Sequence, residues 1–272
     1  MEKPPRPKGK RNMTATTRFA GLVGSSEVLS GTWIQTNAPE TCEIASRAGF
    51  DFVILDMEHG SFGIDSLPNL LRAVEAGGAT AMVRVPDQDR IGIMKALDAG
   101  AGGILVPGVK DRAEVEAIVA ATQYAPRGTR GACPATRGTG HGLVGWTDYI
   151  AWREANVIVS VLIETAEAVT NFEDIVMVEG LNAVTFGPFD LSVALGYGGD
   201  IHHPEVVRIQ KELAAIALRH GVHVMPVIFA SEGAAIAEEA GMWRALGARL
   251  IVASGDRFIL SQAFRTAARN VK

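Results

Sequence analysis

A parallel (β/α)8 barrel in a single domain is the architecture that this chain predicts, and three observations carry it. Short apolar runs of β character alternate with longer stretches of helical period, and eight such pairs follow one another. The 272 residues suit a barrel, which commonly uses about 250 as one unit. No G-x-G-x-x-G follows the first run, which weighs against an open doubly wound sheet.

The pairs are read in chain order. Strands are expected near 30–36, 52–57, 80–85 and 103–107, each followed by a helix, near 40–48, 64–76, 90–97 and 112–123. The second half repeats the pattern, with strands near 157–163, 183–186, 222–228 and 249–253 and helices near 165–177, 205–219, 231–240 and 256–269. The strand runs are rich in Val and Ile and apolar at consecutive positions, as strands covered on both faces are. The helices carry apolar residues at three and four spacing, as in Leu67, Leu70, Leu71 and Val74. Gly49, Gly77, Gly78 and Gly221 stand where helices must stop.

In such a barrel the carboxyl ends of the strands form the catalytic face, so polar residues there read as chemistry. His59 follows the run 51–58, Arg84 closes 79–83 and Glu164 ends 157–163, while three residues separate Asp190 from the run 183–186. Adjacent strands lie about 5 Å apart, so Glu164 and Asp190 can grip one cation together. Two carboxylates without His or Cys are hard donors, suited to Mg2+, Mn2+ or a similar ion that keeps positions for water and substrate. A 2-oxo acid such as pyruvate can fill two of those positions, and the ion then polarises the keto oxygen. Arg84 supplies fixed positive charge to an enolate, and His59 titrates in the range a general base needs.

The same residues carry a resemblance. Gly31-Thr-Trp, Asp56-Met-Glu-His-Gly60, Val83-Arg-Val-Pro86, Leu97-Asp-Ala-Gly-Ala101, Gly103-Ile-Leu-Val-Pro107, Pro126-Arg-Gly-Thr-Arg-Gly131, Ile163-Glu-Thr165 and Gly187-Pro-Phe-Asp-Leu-Ser192, in that order, resemble the metal-dependent class II pyruvate aldolases of the 4-hydroxy-2-oxoheptanedioate and 2-keto-3-deoxy-L-rhamnonate type. The resemblance runs from about Gly31 to Arg257 and implies a barrel of the phosphoenolpyruvate/pyruvate superfamily type. It implies reversible retro-aldol cleavage of a 4-hydroxy-2-oxo acid to pyruvate and an aldehyde, through a metal-bound pyruvate enolate. The roles it implies are His59 as base, Arg84 as stabiliser, and Glu164 and Asp190 as ligands of Mg2+, Mn2+ or Co2+. Leu162, Gly187, Pro188, Phe189 and Arg84 would line the substrate site.

Asp98 matches an acidic residue that raises the basicity of the catalytic histidine in that family. The topology puts Asp98 at the other face of the barrel, which leaves Asp56, three residues before His59, as the competing orienter. Two departures from the pattern, Leu162 where many relatives have Gln and Phe189 where they have a small residue, make the pocket more apolar. A homohexamer is implied by the resemblance alone.

Composition bounds the remaining readings. With 47% apolar residues and a net charge of −4, the chain can bury a large core and has no basic field for nucleic acid. No apolar stretch approaches the ~18 residues that span a bilayer. Residues 1–18 hold six Lys or Arg against one Glu and read as a disordered basic tail before a barrel domain at 19–272. Cys42 and Cys133 are isolated thiols, consistent with a reducing cytoplasm. The stretch from Tyr124 to Asp148 is long for a connection and reads either as a cover or wall of the site or as a subunit contact. Within it, His141 is open between a substrate contact and solvent, and Arg127 and Arg130 between an anionic acceptor and ion pairs between subunits. His202-His203-Pro204 reads as a helix-entry turn.

Rival functions stay on the page. None of the strand runs contains a lysine, so a Schiff-base aldolase is disfavoured. A lyase of CoA thioesters of the citryl or malyl type, and a non-catalytic oxo-acid-binding protein, remain as alternatives to the aldolase.

Overall fold

The computed structural model describes residues 27–230 and 232–271; the basic tail at 1–18 lies outside them. Nine strands form one parallel sheet: β1 (Leu29–Ile34), β2 (Phe52–Asp56), β3 (Thr80–Arg84), β4 (Gly103–Val106), β5 (Ile158–Ile163), β6 (Ala183–Phe186), β7 (His223–Met225), β8 (Val227–Ile228) and β9 (Leu250–Gly255). Their order is β7-β6-β5-β4-β3-β2-β1-β9-β8. β7 and β8 are the two halves of the expected strand 222–228, separated at Pro226, which has no N–H to give to a ladder. β7 therefore pairs with β6 and β8 with β9, while the Pro226 carbonyl accepts from the Val252 N–H at 3.0 Å. The ring of a (β/α)8 barrel closes through that single kinked segment.

Helices alternate with the strands on the outside: α1 (Pro39–Arg47), α2 (Leu67–Gly77), α3 (Arg90–Asp98), α4 (Arg112–Thr122), α5 (Trp146–Asn156), α6 (Ala166–Thr170), α7 (Phe172–Val176), α8 (Pro188–Ala194), α9 (Pro204–Arg219), α10 (Gly233–Ala245) and α11 (Asp256–Val271). The expected helix 165–177 is two short ones, broken at Asn171, whose side-chain amide donates to the Lys110 carbonyl. α5 and α8 have no counterpart in the sequence reading. α5 buries only Tyr149 and Arg153, so it shows no apolar stripe at helical spacing. The His203 imidazole Nδ1 accepts from the Glu205 N–H and caps α9, the entry turn expected of His202-His203-Pro204.

Strand parity sorts the core into two layers. Leu29, Phe52, Ile54, Met82, Leu105, Ile158, Leu162, Met225, Leu250 and Val252 point into the barrel and form one cluster. Their neighbours Val53, Leu55, Val83, Ile104, Val159 and Ile163 belong to the outer cluster under the helices. Period-2 alternation then dictates what comes next on the inside. After Phe52 and Ile54 the inward position is Asp56; after Met82 it is Arg84; after Leu162 it is Glu164. The site is the polar cap of an apolar barrel interior. Gly31 makes room for that filling, since a Cβ there would stand 2.3 Å from the Phe52 ring.

The long connection does not cover that cap. It lies at the opposite, amino-terminal face, where Gly138 N–H donates to the Asp98 carbonyl and the Arg137 guanidinium bonds Ala99 O and Glu75. It walls a separate cavity there, so the expectation of a cover or wall at the catalytic face fails. The reason is its place in the chain: it joins the end of a helix to the start of a strand, and such links fall at the foot of the barrel. No helix among the described residues is long and apolar enough to cross a membrane.

Candidate active site

The cap is organised by Asp56, a fully buried carboxylate at the last position of β2. Its Oδ1 accepts from Arg84 Nε at 2.8 Å and its Oδ2 from Arg84 Nη2 at 2.6 Å, a bidentate fork that fixes the guanidinium plane. Gln35 Nε2 donates to Oδ2 as well, at 2.8 Å. Oδ1 also takes the main-chain N–H groups of Glu58 and His59, which shapes the turn that carries them. Burial pushes the Asp56 carboxyl up, but the Arg84 hydrogen bonds and charge, helped by Gln35 and the His59 N–H, more than offset it and hold the group below the ordinary carboxylate range. Arg84 is further held by Glu58 Oε2 at 2.8 Å and lies over the Trp33 ring at 4.6 Å.

Asp56 thus orients Arg84 and reaches His59 only through its main chain. Asp98 is no closer to the imidazole: at the end of α3 it pairs with Arg130 Nη2 at 2.5 Å, on the other face of the barrel. The matched role of Asp98 as partner of His59 has no contact to support it within this chain. The placement of Asp98 within the chain follows the topology, because a residue at the carboxyl end of a barrel helix sits below the sheet.

Across the cap stand the two carboxylates. Glu164 follows β5, and its Oε1 accepts from the Gly108 N–H at 2.7 Å. Burial, with the negative charges of Glu58 and Asp190 beside it, pushes its pKa up to about 7. Asp190 lies in the first turn of α8, which starts directly after Gly187. Gly187 lets the two elements approach closely: a Cβ would meet the Glu164 Cβ at 3.0 Å and Oε2 at 3.1 Å. Glu58 is likewise raised by burial, with Arg84 opposing and Asp56 and Asp190 adding to the shift.

Asp56 and Glu58 take up the arginine, and Glu164 and Asp190 stand beside them, so a cation would relieve the surplus of negative charge. Among the described residues no group of three His, Cys, Asp or Glu is gathered as a metal site. The donor set nevertheless fits a hard divalent ion. Mg2+ is commonly held through one or two carboxylates, with water and substrate completing its shell, and Glu164 keeps Oε2 out of the Gly108 bond.

These groups border a cavity of ≈ 500 Å3. His59, Arg84, Leu162, Gly187, Pro188, Phe189 and Asp190 all line it, so apart from Asp98 the expected site residues are brought to one place, with Glu164 packed behind Gly187. The sequence reading missed Gln35, Glu58 and Arg257. Arg257 donates to the carbonyls of His59 and Gln35 at 3.3 and 3.1 Å and ties the loop of His59 to the β9–β1 seam. Glu58 was visible as a charged neighbour of His59 at a strand end; nothing in the sequence announced Gln35 or Arg257.

Comparison with known proteins gives the family and the fold. A family model described as HpcH/HpaI aldolase/citrate lyase matches residues 29–252. The chain is 35% identical over 210 residues to 5-keto-4-deoxy-D-glucarate aldolase of Klebsiella pneumoniae subsp. pneumoniae, covering 77% of this chain and 81% of that protein. It is 31% identical over 255 residues to the protein of the same name in Shigella dysenteriae serotype 1, covering 94% and 96%. A crystal structure of an HpcH/HpaI aldolase from Desulfitobacterium hafniense superposes with a TM-score of 0.84 at 29% identity, over 91% of this chain and 93% of that one.

Proposed function

The chain belongs to the HpcH/HpaI aldolase/citrate lyase family and is a lyase, and we propose that it cleaves a 4-hydroxy-2-oxo acid reversibly to pyruvate and an aldehyde with the help of a divalent metal ion. The observation that carries this reading is the polar cap, where Asp56-held Arg84, His59 and Asp190 line one cavity and Glu164 packs directly behind its Gly187 wall.

Glu164 and Asp190 would hold the ion, Mg2+, Mn2+ or Co2+, which when bound supplies Lewis acidity toward the keto oxygen of the 2-oxo acid. His59 takes the proton from the C4 hydroxyl, directly or through a water, as the C3–C4 bond breaks and the aldehyde leaves. The bonding pair moves onto the pyruvate part as an enolate, whose oxygen faces the positive charge of Arg84. That charge is preorganised, because Asp56, Glu58 and Trp33 already fix the guanidinium before substrate arrives. A proton returned to C3 gives pyruvate, and the reverse sequence gives condensation.

Pyruvate and an aldehyde incubated with and without added divalent cations test the reading. Condensation that depends on the cation and is abolished by a chelator is the expected result; turnover that persists after exhaustive chelation would overturn it. His59→Ala should keep metal and pyruvate binding while losing kcat, which also separates a catalyst from a mere oxo-acid-binding protein. Exposed apolar residues of α11 outside the cavity lining, Ile259, Leu260 and Phe264, support a homo-oligomer, hexameric by family resemblance.

A further inference from the structure

The carboxylate pair and Arg84 account for the pyruvate half of the cavity; its other half has a different character. Phe189, Phe229 and Phe258 line it together with Leu162 and Val227. Phe189 and Phe258 are 53% and 51% exposed, so two phenyl faces are open to whatever enters. Phe229 and Phe258 meet edge to face at 6.3 Å and form a continuous wall with β8. Phe189 is braced from behind, where its ring leaves no room for a Cβ on Gly199, which would stand at 2.9 Å.

Charge points the same way. Among the described residues lining the cavity, the basic side chains are His59 and Arg84. Arg84 is already engaged by Asp56 and Glu58. Arg257, the next cation at the mouth, turns its guanidinium to two main-chain carbonyls. Among the described residues lining the cavity, a carboxylate on the distal end of an acceptor would find no cation beyond His59 and the already engaged Arg84. Binding a charged group without a partner is costly, whereas an aryl or branched alkyl group would bury its surface on the phenyl wall.

We propose that the acceptor side of this site is built for apolar aldehydes, aromatic or branched aliphatic, and so for 4-hydroxy-2-oxo acids with an apolar substituent at C4; this rests on the pyruvate-lyase reading above. In that respect the chain departs from the relatives named for 5-keto-4-deoxy-D-glucarate.

Two measurements on the full chain with Mg2+ separate the inference from the reading beneath it. Exchange of the pyruvate C3 hydrogens for deuterium in D2O needs no acceptor; its absence would overturn both. With exchange present, condensation of pyruvate with benzaldehyde and isobutyraldehyde is set beside succinic semialdehyde and glyceraldehyde. The expected kcat/KM favours the apolar pair by about tenfold or more, the scale set by one or a few apolar contacts. Equal or better use of succinic semialdehyde would overturn the inference while leaving the lyase intact. Phe258→Ser and Phe189→Ser should each shrink the ratio of benzaldehyde to glyceraldehyde kcat/KM, mainly through KM. An unchanged ratio in both would also overturn it.

Discussion

The barrel carries an arginine–aspartate pair at each end, and in both the arginine is buried beside an aromatic ring. Arg84 is held by Asp56 and lies 4.6 Å from the Trp33 ring; Arg130 is held by Asp98 and lies 4.7 Å from the Tyr124 ring. Both residues are almost fully buried, at 7% and 4% exposure. Their surroundings differ in sign. Around Arg84 the excess charge is acidic, and the group borders a cavity with His59 and Asp190. Around Arg130 the excess is basic: Arg153 is buried nearby against the same tyrosine, bonded to the Thr122 carbonyl, with its pKa lowered to about 10 by burial and by Arg130. A buried ion pair by itself therefore says nothing about chemistry. The charge left over next to it does, because leftover negative charge recruits a cation and leftover positive charge inside a core only costs stability.

The contrast predicts opposite outcomes for equivalent substitutions. Arg84→Lys keeps the charge but loses the fork, so kcat should fall by about 10²–10³-fold, the scale of losing one preorganised donor to a developing oxyanion. Arg130→Lys should leave kcat within a few-fold of the parent. Steady-state kinetics on both variants decides, and an equal loss in both would mean that the foot of the barrel takes part in turnover.

Stability should show the reverse emphasis at Asp98. Removing one partner of a buried pair commonly costs about 3–5 kcal/mol, since the other charge is left alone. Asp98→Asn strands Arg130, whose Nε and Nη1 have no partner already, in a cluster of excess positive charge. A drop of that size in denaturant unfolding, with kcat preserved in the surviving folded fraction, is expected. Loss of kcat without loss of stability would restore Asp98 to a role beside His59.

These two ends were unequally legible in the sequence. Strand ends were readable, so the positions of Arg84 and Glu164 at the carboxyl face followed from the runs that precede them, while the consecutive apolar residues hid which side faces inward. His59 and Asp190 followed from their places just past strand ends. What the strand ends could not give was pairing. Asp56 was visible only as a candidate orienter of His59, because the sequence does not say that its carboxylate meets Arg84 from the neighbouring strand, a partner 28 residues away. The stretch 124–148 stood open between a cover or wall of the site and a subunit contact, and its packing at the amino-terminal face removes the first. Its place between a helix and the next strand already put it at the foot of the barrel, whereas its helix α5 was not legible, because it buries an aromatic and an arginine rather than a stripe of aliphatics. The kink at Pro226 was written in the sequence, yet its consequence, one strand serving as two, depends on both neighbours.

Acid stability offers a finer test of the upper pair. The folded Asp56 carboxyl lies below its unfolded value of about 3.9, so its contribution is fully present above that pH and is lost as pH falls through the folded value. Asp56→Asn should therefore be markedly less stable than the parent near neutrality, and the gap should narrow as the buffer is taken below about pH 4. A gap that stays constant through the acid limb would show that Asp56 is not the group whose ionisation holds Arg84.

The smallest expected effect comes from a single methyl group. Gly187→Ala adds a Cβ at 3.0 Å from the Glu164 Cβ and 3.1 Å from its Oε2, closer than packed atoms ordinarily sit. The fold should tolerate it, because either Glu164 or the start of α8 can give by a few tenths of an ångström. The distance between the Glu164 and Asp190 carboxylates is what that movement changes, since one follows β5 and the other rides on α8. Binding of Mn2+, followed directly by its electron paramagnetic resonance signal, should weaken by about tenfold, in the range that displaced ligand geometry costs. The same variant should unfold at nearly the same denaturant concentration as the parent. Unaltered Mn2+ affinity would mean that Glu164 reaches the ion from a direction that Gly187 does not control, and that the glycine serves only the turn into α8.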